Sequence, residues 1–236
     1  MNYRYLGQTG LPLSELSLGS WRTFGESISE ETADELMTLA YESGINFFDN
    51  AEVYAAGESE LVMGRILKAK AWRRDSWCVS SKVFWGGDEP TRKGLFRKHV
   101  IEACHQALER LQVDYLDLYF CHRPDLDTPI VETVAAMTDL VRQGKILYWG
   151  TSEWTARDIA LAHAAAARDN LVAPVMEQPQ YNLFTRECFE VDYSRLYKEV
   201  GLGTTVWSPL SRGELVGHYL QEKGGKFVVS KQGNAW

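Results

Sequence analysis

Short apolar runs recur about every thirty residues along this chain, and they constrain its fold more than any other feature. They have the length of buried β-strands and begin at Leu16, Asn46, Trp77, Tyr115, Ile146, Pro174 and Thr204. Between them lie segments with apolar residues at helical spacing, as in residues 134–141. Gly44, Gly144 and Gly201 fit the left-handed position that ends a helix. The repeating unit is therefore a strand followed by a helix.

Strands that are apolar on both faces and joined by crossover helices predict a parallel sheet covered by helices. Seven near-equal repeats favour an α/β fold of the closed (β/α)8 TIM barrel type over an open doubly wound sheet. The open fold is expected to carry Gly-x-Gly-x-x-Gly after its first strand, whereas residues 19–25 are GSWRTFG. We also predict that residues 3–6 and 13–16 form a hairpin that caps the base of the barrel.

Composition narrows the class of protein further. The chain has 236 residues, which suits one large α/β domain or two small ones, and no linker-like stretch divides it. We therefore predict a single domain over residues 1–236. The net charge of −7 argues against nucleic acid or an anionic membrane as a partner, because both need a basic face. The scattered cysteines and the N-terminus without an apolar signal core predict a cytoplasmic protein with no direct membrane insertion.

Four residues with chemically active side chains follow the second, third and fourth strand-like runs. Asp49 and Tyr54 follow the second run, Lys82 ends the third and His122 ends the fourth. Functional groups of βα barrels gather at the carboxyl ends of the strands, so these four side chains are predicted to meet at one rim. Each also has an ordinary interpretation: a helix cap for Asp49, packing for Tyr54, a surface-reaching ammonium for Lys82 and a hydrogen-bonded core histidine for His122.

Together, the four residue types can deliver a proton to a carbonyl oxygen. A tyrosine hydroxyl has a pKa near 10, and a neighbouring ammonium such as that of Lys82 favours its phenolate. Asp49 would keep Lys82 charged, and His122 would hydrogen-bond the carbonyl. Protonating a carbonyl oxygen as negative charge develops there suits hydride addition, which requires a nicotinamide or flavin cofactor.

The sequence resembles the aldo-keto reductases. The catalytic tetrad of that family is matched in residue type, order and approximate spacing by Asp49, Tyr54, Lys82 and His122. Four longer motifs resemble the branch that contains voltage-gated potassium channel beta subunits and their bacterial and plant relatives. They are FFDNAEVYA from residue 47, KVFWGG from residue 82, YWGTS from residue 148 and WSPL from residue 207. This resemblance extends to about residue 215 and implies NADPH-dependent reduction of a small aldehyde or ketone, with Tyr54 as the proton donor.

The resemblance also implies cofactor contacts. Ser20, Trp21, Asp49, Ser152 and Gln178 are expected on the nicotinamide side, and Tyr181 is similar to an aromatic residue that stacks on the nicotinamide ring, although a packed loop tyrosine is an equal alternative. The expected contacts along the pyrophosphate are Trp207, Ser208, Pro209, Leu210, Ser211 and Arg212.

Some positions depart from the family pattern. Glu153 stands where the channel subunits carry Arg. His218 stands where a phosphate-binding lysine is expected, and Arg212 is the candidate to compensate for it.

After residue 215 the resemblance fades, and the last third expected of the family is not recognisable in residues 216–236. Residues 215–223 have a helix-like pattern, and residues 226–230 are either a short strand in the eighth position of the barrel or part of an altered tail, which we favour. We therefore expect a barrel that is truncated after its seventh strand, with unpaired strand edges and weakened binding of the adenosine side of the cofactor.

The sequence offers two alternatives to this function. One is a non-catalytic subunit of the potassium-channel beta type that senses NADP(H); His122 argues for turnover instead, since some such subunits carry Asn there. The other is a metal-dependent hydrolase using Asp49, His122 and Asp125, which lacks clustered ligands and would place Lys82 beside the cation. We expect no metal. The sequence leaves open whether the protein forms a homo-oligomer or binds a channel-like partner.

Overall fold

A seven-stranded parallel sheet dominates the computed structural model, which describes residues 1–217, 220–223 and 226–229. A hairpin of β1 (Tyr3–Tyr5) and β2 (Pro12–Ser14) precedes this sheet. The sheet consists of β3 (Leu18–Gly19), β4 (Phe47–Asp49), β5 (Cys78–Val83), β6 (Leu116–Cys121), β7 (Ile146–Thr151), β8 (Met176–Glu177) and β9 (Gly203–Thr204). Each strand pairs in parallel with the next along the chain, as the repeat predicts.

Helices connect consecutive strands and cover the outside of the sheet. They are α1 (Glu30–Glu42), α2 (Glu58–Lys70), α3 (Arg97–Leu111), α4 (Ile130–Arg142), α5 (Ala156–Asp169) and α6 (Ser194–Glu199). Ser29 caps α1 by accepting a hydrogen bond from the backbone N–H of Thr32. Gly44 and Gly144 follow α1 and α4 with φ of 87° and 69°, so the predicted left-handed positions are confirmed.

The sheet curls into part of a barrel, with apolar layers on both of its faces. The larger layer lies between the strands and the helices and includes Val79, Tyr119 and Trp149. The smaller layer lies inside the curve, where Leu6 and Leu13 of the N-terminal hairpin region pack with Phe47, Leu118 and Met176. The predicted capping role of the hairpin is thus confirmed, and the residues that close the base leave the opposite rim as the open end.

The last described segments differ from the prediction. Residues 211–216 form a short 3-10 turn, and β10 (Leu220–Lys223) is a strand, so the helical interpretation of residues 215–223 is wrong over β10. β11 (Lys226–Val229) pairs antiparallel with β10 rather than entering the eighth position. Two short strands separated by Gly224-Gly225 satisfy each other's backbone groups locally, which explains this outcome. His218 and Ser230 lie outside the described residues.

Among the described residues, β3 and β9 remain the two edges of the sheet and do not pair with each other. The fold is therefore an α/β partial barrel, a (β/α)8 barrel without an eighth strand in the described part of the chain. No helix of that part combines the length and apolarity needed to cross a membrane.

Candidate active site

A cavity of about 800 Å³ opens at the carboxyl ends of the strands and continues along the gap between β3 and β9. This volume lies within the range of roughly 300–1,000 Å³ found for ligand pockets. Of the four predicted catalytic residues, Asp49, Tyr54 and His122 line it. Lys82 lies directly behind them and is completely buried. The rim that the sequence predicted is therefore the place where this cavity opens.

Lys82 is the centre of the polar cluster beneath this cavity. Its Nζ donates hydrogen bonds to Asp49 Oδ2 at 2.6 Å, to the backbone oxygen of Asn50 at 2.8 Å and to Tyr54 Oη at 3.2 Å. These three acceptors match the three N–H donors of an ammonium. Burial lowers the pKa of Lys82. The electrostatic interactions with Asp49 and Tyr54 and the hydrogen bonds to these two side chains outweigh burial, so that the pKa is raised above 10.5. Lys82 is therefore charged at neutral pH.

Asp49 is fixed by two residues of β5 and by the residue that follows β8. Besides Lys82, its carboxylate accepts hydrogen bonds from Ser80 Oγ at 2.7 Å and from Gln178 Nε2 at 3.2 Å. Gln178 also donates to Thr205 Oγ1 at 3.2 Å, just after β9. Because Asp49 ends β4 and Gln178 follows β8, the hydrogen bond between Gln178 and Asp49 crosses the inside of the curled sheet. The network holds the charged pair in one geometry.

Tyr54 lies in a short turn, Tyr54–Gly57, between β4 and α2. Ala55 and Ala56 in this turn have left-handed backbone, with φ of 48° and 53°, which is an uncommon conformation for residues other than glycine. Burial raises the pKa of Tyr54 above 10; Lys82 and Arg123 oppose this shift, and Asp49 adds to it. Lys82 therefore lowers the pKa of Tyr54 as expected, but burial outweighs this effect. The phenol is fully protonated at neutral pH, as a proton donor must be.

His122 faces Tyr54 and Trp85 at the mouth of the cluster. Ring centroids are 5.9 Å apart for His122 and Tyr54, and 5.1 Å for His122 and Trp85, both edge to face. Burial, together with the positive charges of Lys82 and Arg123, holds the pKa of His122 well below 6.5. Its Nδ1 has no hydrogen-bond partner among the described residues. His122 is thus a neutral imidazole that can hydrogen-bond a ligand without titrating near neutral pH.

The structure brings most of the predicted cofactor residues to the same cavity. Besides Asp49, the lining includes Trp21, Ser152, Gln178, Trp207, Ser208 and Pro209. The rings of Trp21 and Trp207 meet edge to face, 6.0 Å apart, across the gap between the sheet edges. Ser20 lies beneath the lining and is buried, with its Oγ bonded to the backbone oxygen of Asp49 at 3.0 Å.

Other predicted cofactor residues lie away from the lining. Tyr181 stacks on Phe189, with ring centroids 4.0 Å apart, and its hydroxyl donates to Glu190 at 2.8 Å. The packed loop alternative therefore describes Tyr181 in this structure. Leu210 is exposed, and Ser211 and Arg212 follow it with left-handed backbone.

Glu153 connects three loops through hydrogen bonds, a role that the sequence did not predict. It has left-handed backbone, with φ of 59°, and its Oε1 accepts hydrogen bonds from Trp207 Nε1 at 2.8 Å and from the backbone N–H of Gln180 at 2.7 Å. Glu153 therefore joins the loop after β7 to the loops after β8 and β9, where an arginine could accept neither bond.

Several residues of the site were not predicted. Ser80 precedes Lys82 by two positions, so the alternation of a strand places both on one face and offered a signal. Trp85 and Arg123 follow predicted catalytic residues closely, and both line the cavity. Thr205 had no local signal, because its role depends on contact with Gln178 from the preceding strand. In the described part of the chain, no group of His, Cys, Asp and Glu is arranged to hold a metal.

The curled parallel sheet, the helices outside it and the polar cavity at the carboxyl ends of its strands define an α/β barrel protein of enzymatic type. The family model of the Aldo/keto reductase family matches residues 15–233. The chain therefore belongs to the aldo/keto reductase family, a family of oxidoreductases that act on carbonyl groups.

Proposed function

We propose that this protein reduces small aldehydes or ketones with NADPH and that Tyr54 donates the proton. The observation that carries the proposal is the chain of contacts from Asp49 through Lys82 to Tyr54, ending at a cavity beside the neutral His122. A bound nicotinamide would supply the hydride for the carbonyl carbon. The chain's own residues supply the proton and the place where the carbonyl is held.

Each residue of the cluster has a distinct part in this proposal. Tyr54 keeps its proton at neutral pH and would release it to the carbonyl oxygen as negative charge develops there. Lys82 stabilises the phenolate that remains, because its charged Nζ lies 3.2 Å from Tyr54 Oη. Asp49 keeps Lys82 charged, and His122 orients the carbonyl through a hydrogen bond without adding a charge.

The residues on the cavity wall fit a nicotinamide. Ser152 and Gln178 offer hydrogen-bonding groups, while Trp21 and Trp207 offer flat apolar surface in a space that continues to Tyr54 and His122. The ring of His122 lines the same cavity, so a polar ligand there would lie beside its imidazole. We propose NADPH rather than NADH, and membership of the branch that resembles potassium-channel beta subunits, on the motifs quoted above.

The alternative is a regulatory subunit that binds NADP(H) without turnover. The first test is a fluorescence titration with NADPH, followed by turnover of a reactive aldehyde. Binding and turnover together support the reductase. Binding without turnover supports the regulatory alternative, and absence of binding at millimolar NADPH contradicts both.

Tyr54→Phe tests the assignment of the proton donor. It removes the hydroxyl while keeping the ring, so kcat is expected to fall about 10²- to 10⁴-fold, the usual contribution of a positioned acid. The Kd of NADPH should change little. The matched control is Tyr5→Phe in the N-terminal hairpin, where the ring is exposed and kcat should be unchanged. A Tyr54→Phe variant that turns over at the wild-type rate would contradict the proposal that Tyr54 donates the proton.

A further inference from the structure

The loop between β5 and α3 carries one wall of the cavity. Its two sides pair like a small hairpin: the backbone N–H of Gly94 donates to the oxygen of Phe84, and that of Gly86 donates to the oxygen of Arg92, both at 2.8 Å. Trp85 on this loop lines the cavity beside His122. The position of Trp85 therefore depends on what holds the two sides of the loop.

Glu52 and His99 together bind both sides of this loop through hydrogen bonds. Glu52 Oε1 accepts a hydrogen bond from the backbone N–H of Phe84 at 2.7 Å, and Glu52 Oε2 lies 3.4 Å from His99 Nε2. His99 Nδ1 in turn lies 2.8 Å from the backbone oxygen of Gly94. Both side chains are buried, and Glu52 stands two positions before Tyr54. The carboxylate therefore joins the segment that bears Tyr54 to the loop that bears Trp85.

Both ring nitrogens of His99 face acceptors. A neutral imidazole has one N–H and can donate to one of them, whereas an imidazolium donates to both. The environment favours the charged form: burial opposes it, but the hydrogen bond and charge of Glu52 outweigh burial and raise the pKa of His99 above 6.5. The other groups facing His99 are the Gly94 carbonyl, the Phe96 ring and Arg92, whose charge lowers the pKa.

We propose that Glu52 and His99 are positioning residues that hold the loop of residues 84–94 against the cavity, and that the proton on His99 controls how firmly it is held. Below its raised pKa, doubly protonated His99 bridges Glu52 and Gly94. As pH rises through that pKa, one of the two contacts is lost and Trp85 is held less firmly. The proposal rests on the reductase function above, for which Trp85 forms a wall of the carbonyl-binding space.

The expected kinetic effect falls on KM rather than on kcat, because neither residue touches the reacting atoms. Between pH 6 and 9, the KM of wild-type protein for a reactive aldehyde should rise about fivefold, the effect of losing one hydrogen bond. In His99→Gln, KM should stay at the high value across this range, with kcat within twofold of wild type. The matched control is Glu102→Gln on the exposed face of α3, which should keep the wild-type profile.

Gly86→Ala tests the same contact without removing an ionisable group. A Cβ at Gly86 would lie 2.7 Å from His99 Nε2 and 2.9 Å from Glu52 Oε2. It should therefore separate the pair and raise KM at pH 6 to the value of His99→Gln. A KM in either variant that matches wild type across the pH range would overturn the proposal.

Two measurements do not depend on turnover. An NMR titration of the His99 ring in wild-type protein should give a pKa above 6.5, and a value at or below 6.5 overturns the proposal even if every variant fails to fold. Hydrogen exchange at the Gly86 and Gly94 amides should be faster in His99→Gln, and unchanged exchange also counts against it. If Tyr54→Phe keeps full activity while both measurements succeed, the proposed function fails but the anchoring of the loop stands.

Discussion

At the scale of single residues, the site depends on charges that are buried but fully partnered. Lys82 has no exposed surface, yet Asp49, Asn50 and Tyr54 accept its three hydrogen bonds, so the folded protein keeps the ammonium charged. Burial favours the neutral form of all three side chains, and for Tyr54 and His122 this effect prevails. One charged and two neutral groups therefore meet at the cavity, which is the set needed to protonate a carbonyl oxygen.

A second buried charge lies behind the site. Glu60 on α2 accepts hydrogen bonds from Ser81 Oγ at 2.6 Å and from Arg110 Nε at 2.7 Å. Burial raises the pKa of Glu60 above 4.5, and Arg110 opposes the shift. Arg110 is therefore the neighbour that most favours the charged form of this carboxylate.

Arg110→Met should leave this carboxylate without its counter-ion. The expected loss is about 3 kcal/mol of unfolding free energy at pH 8, as for other buried pairs that lose one partner. An acid whose folded pKa exceeds its unfolded value destabilises the fold at high pH, and this cost shrinks as pH falls and the folded state takes up the proton. Urea denaturation at pH 5 should therefore show a smaller loss than at pH 8.

The control for this experiment is Arg195→Met, which removes an exposed pair with Glu199. It should change the unfolding free energy by less than about 0.5 kcal/mol at both values of pH. A loss in Arg110→Met that is the same at pH 5 and pH 8 would contradict the role assigned to Glu60.

At the scale of elements, helices α2 and α3 approach each other closely behind the site. Gly64 on α2 faces the end of α3, where a Cβ would overlap the backbone oxygen of Arg110 and lie 2.7 Å from the carbonyl carbon of Leu111. This contact lets α2 lie close enough for Glu60 to reach Arg110. The turn that bears Tyr54 leads directly into α2, so the packing of this helix affects the position of Tyr54.

Gly64→Ala sets helix propensity against packing. Alanine is better than glycine inside a helix by about 1 kcal/mol. The overlap with backbone atoms cannot be relieved by a side-chain rotation, and overpacking costs roughly 1–3 kcal/mol. We expect a net loss of unfolding free energy, measured by urea denaturation. Gly10→Ala is the control, because a Cβ there meets no atom within 4 Å. A more stable Gly64→Ala variant would show that α2 can move away without cost.

At the scale of the whole molecule, the sheet has a protected centre and two open edges. β5, β6 and β7 each pair on both sides, and β5 and β6 are buried throughout. β3 and β9 pair on one side only within the described residues, and the cavity follows the gap between them. An unpaired edge exposes hydrogen-bonding groups and adjoining apolar surface.

We therefore expect stability to be distributed unevenly. Amides of β5 to β7 should exchange with solvent most slowly, and those of β3 and β9 at least tenfold faster. A dye that binds exposed apolar surface should bind the native protein, and the thermal transition should be broad. Equal protection of all seven strands, together with a sharp two-state transition at high temperature, would show that the gap is closed in solution.

The sequence by itself determined the repeating strand and helix units, their parallel arrangement and the rim where Asp49, Tyr54, Lys82 and His122 meet. It could do so because hydrophobic periodicity is local and because parallel strands bring their carboxyl ends together. The end of each strand therefore predicts a neighbourhood even before any contact is known.

Only the tertiary structure decided which side chains touch. The bond between Gln178 and Asp49 joins residues 129 positions apart, and the contact of Glu52 with His99 joins a loop to a helix. The same holds for Tyr181, which stacks on Phe189 instead of lining the cavity, and for β10 and β11, which pair with each other. Such choices depend on packing between distant segments and on the balance of burial and charge at each site, which a local pattern does not contain.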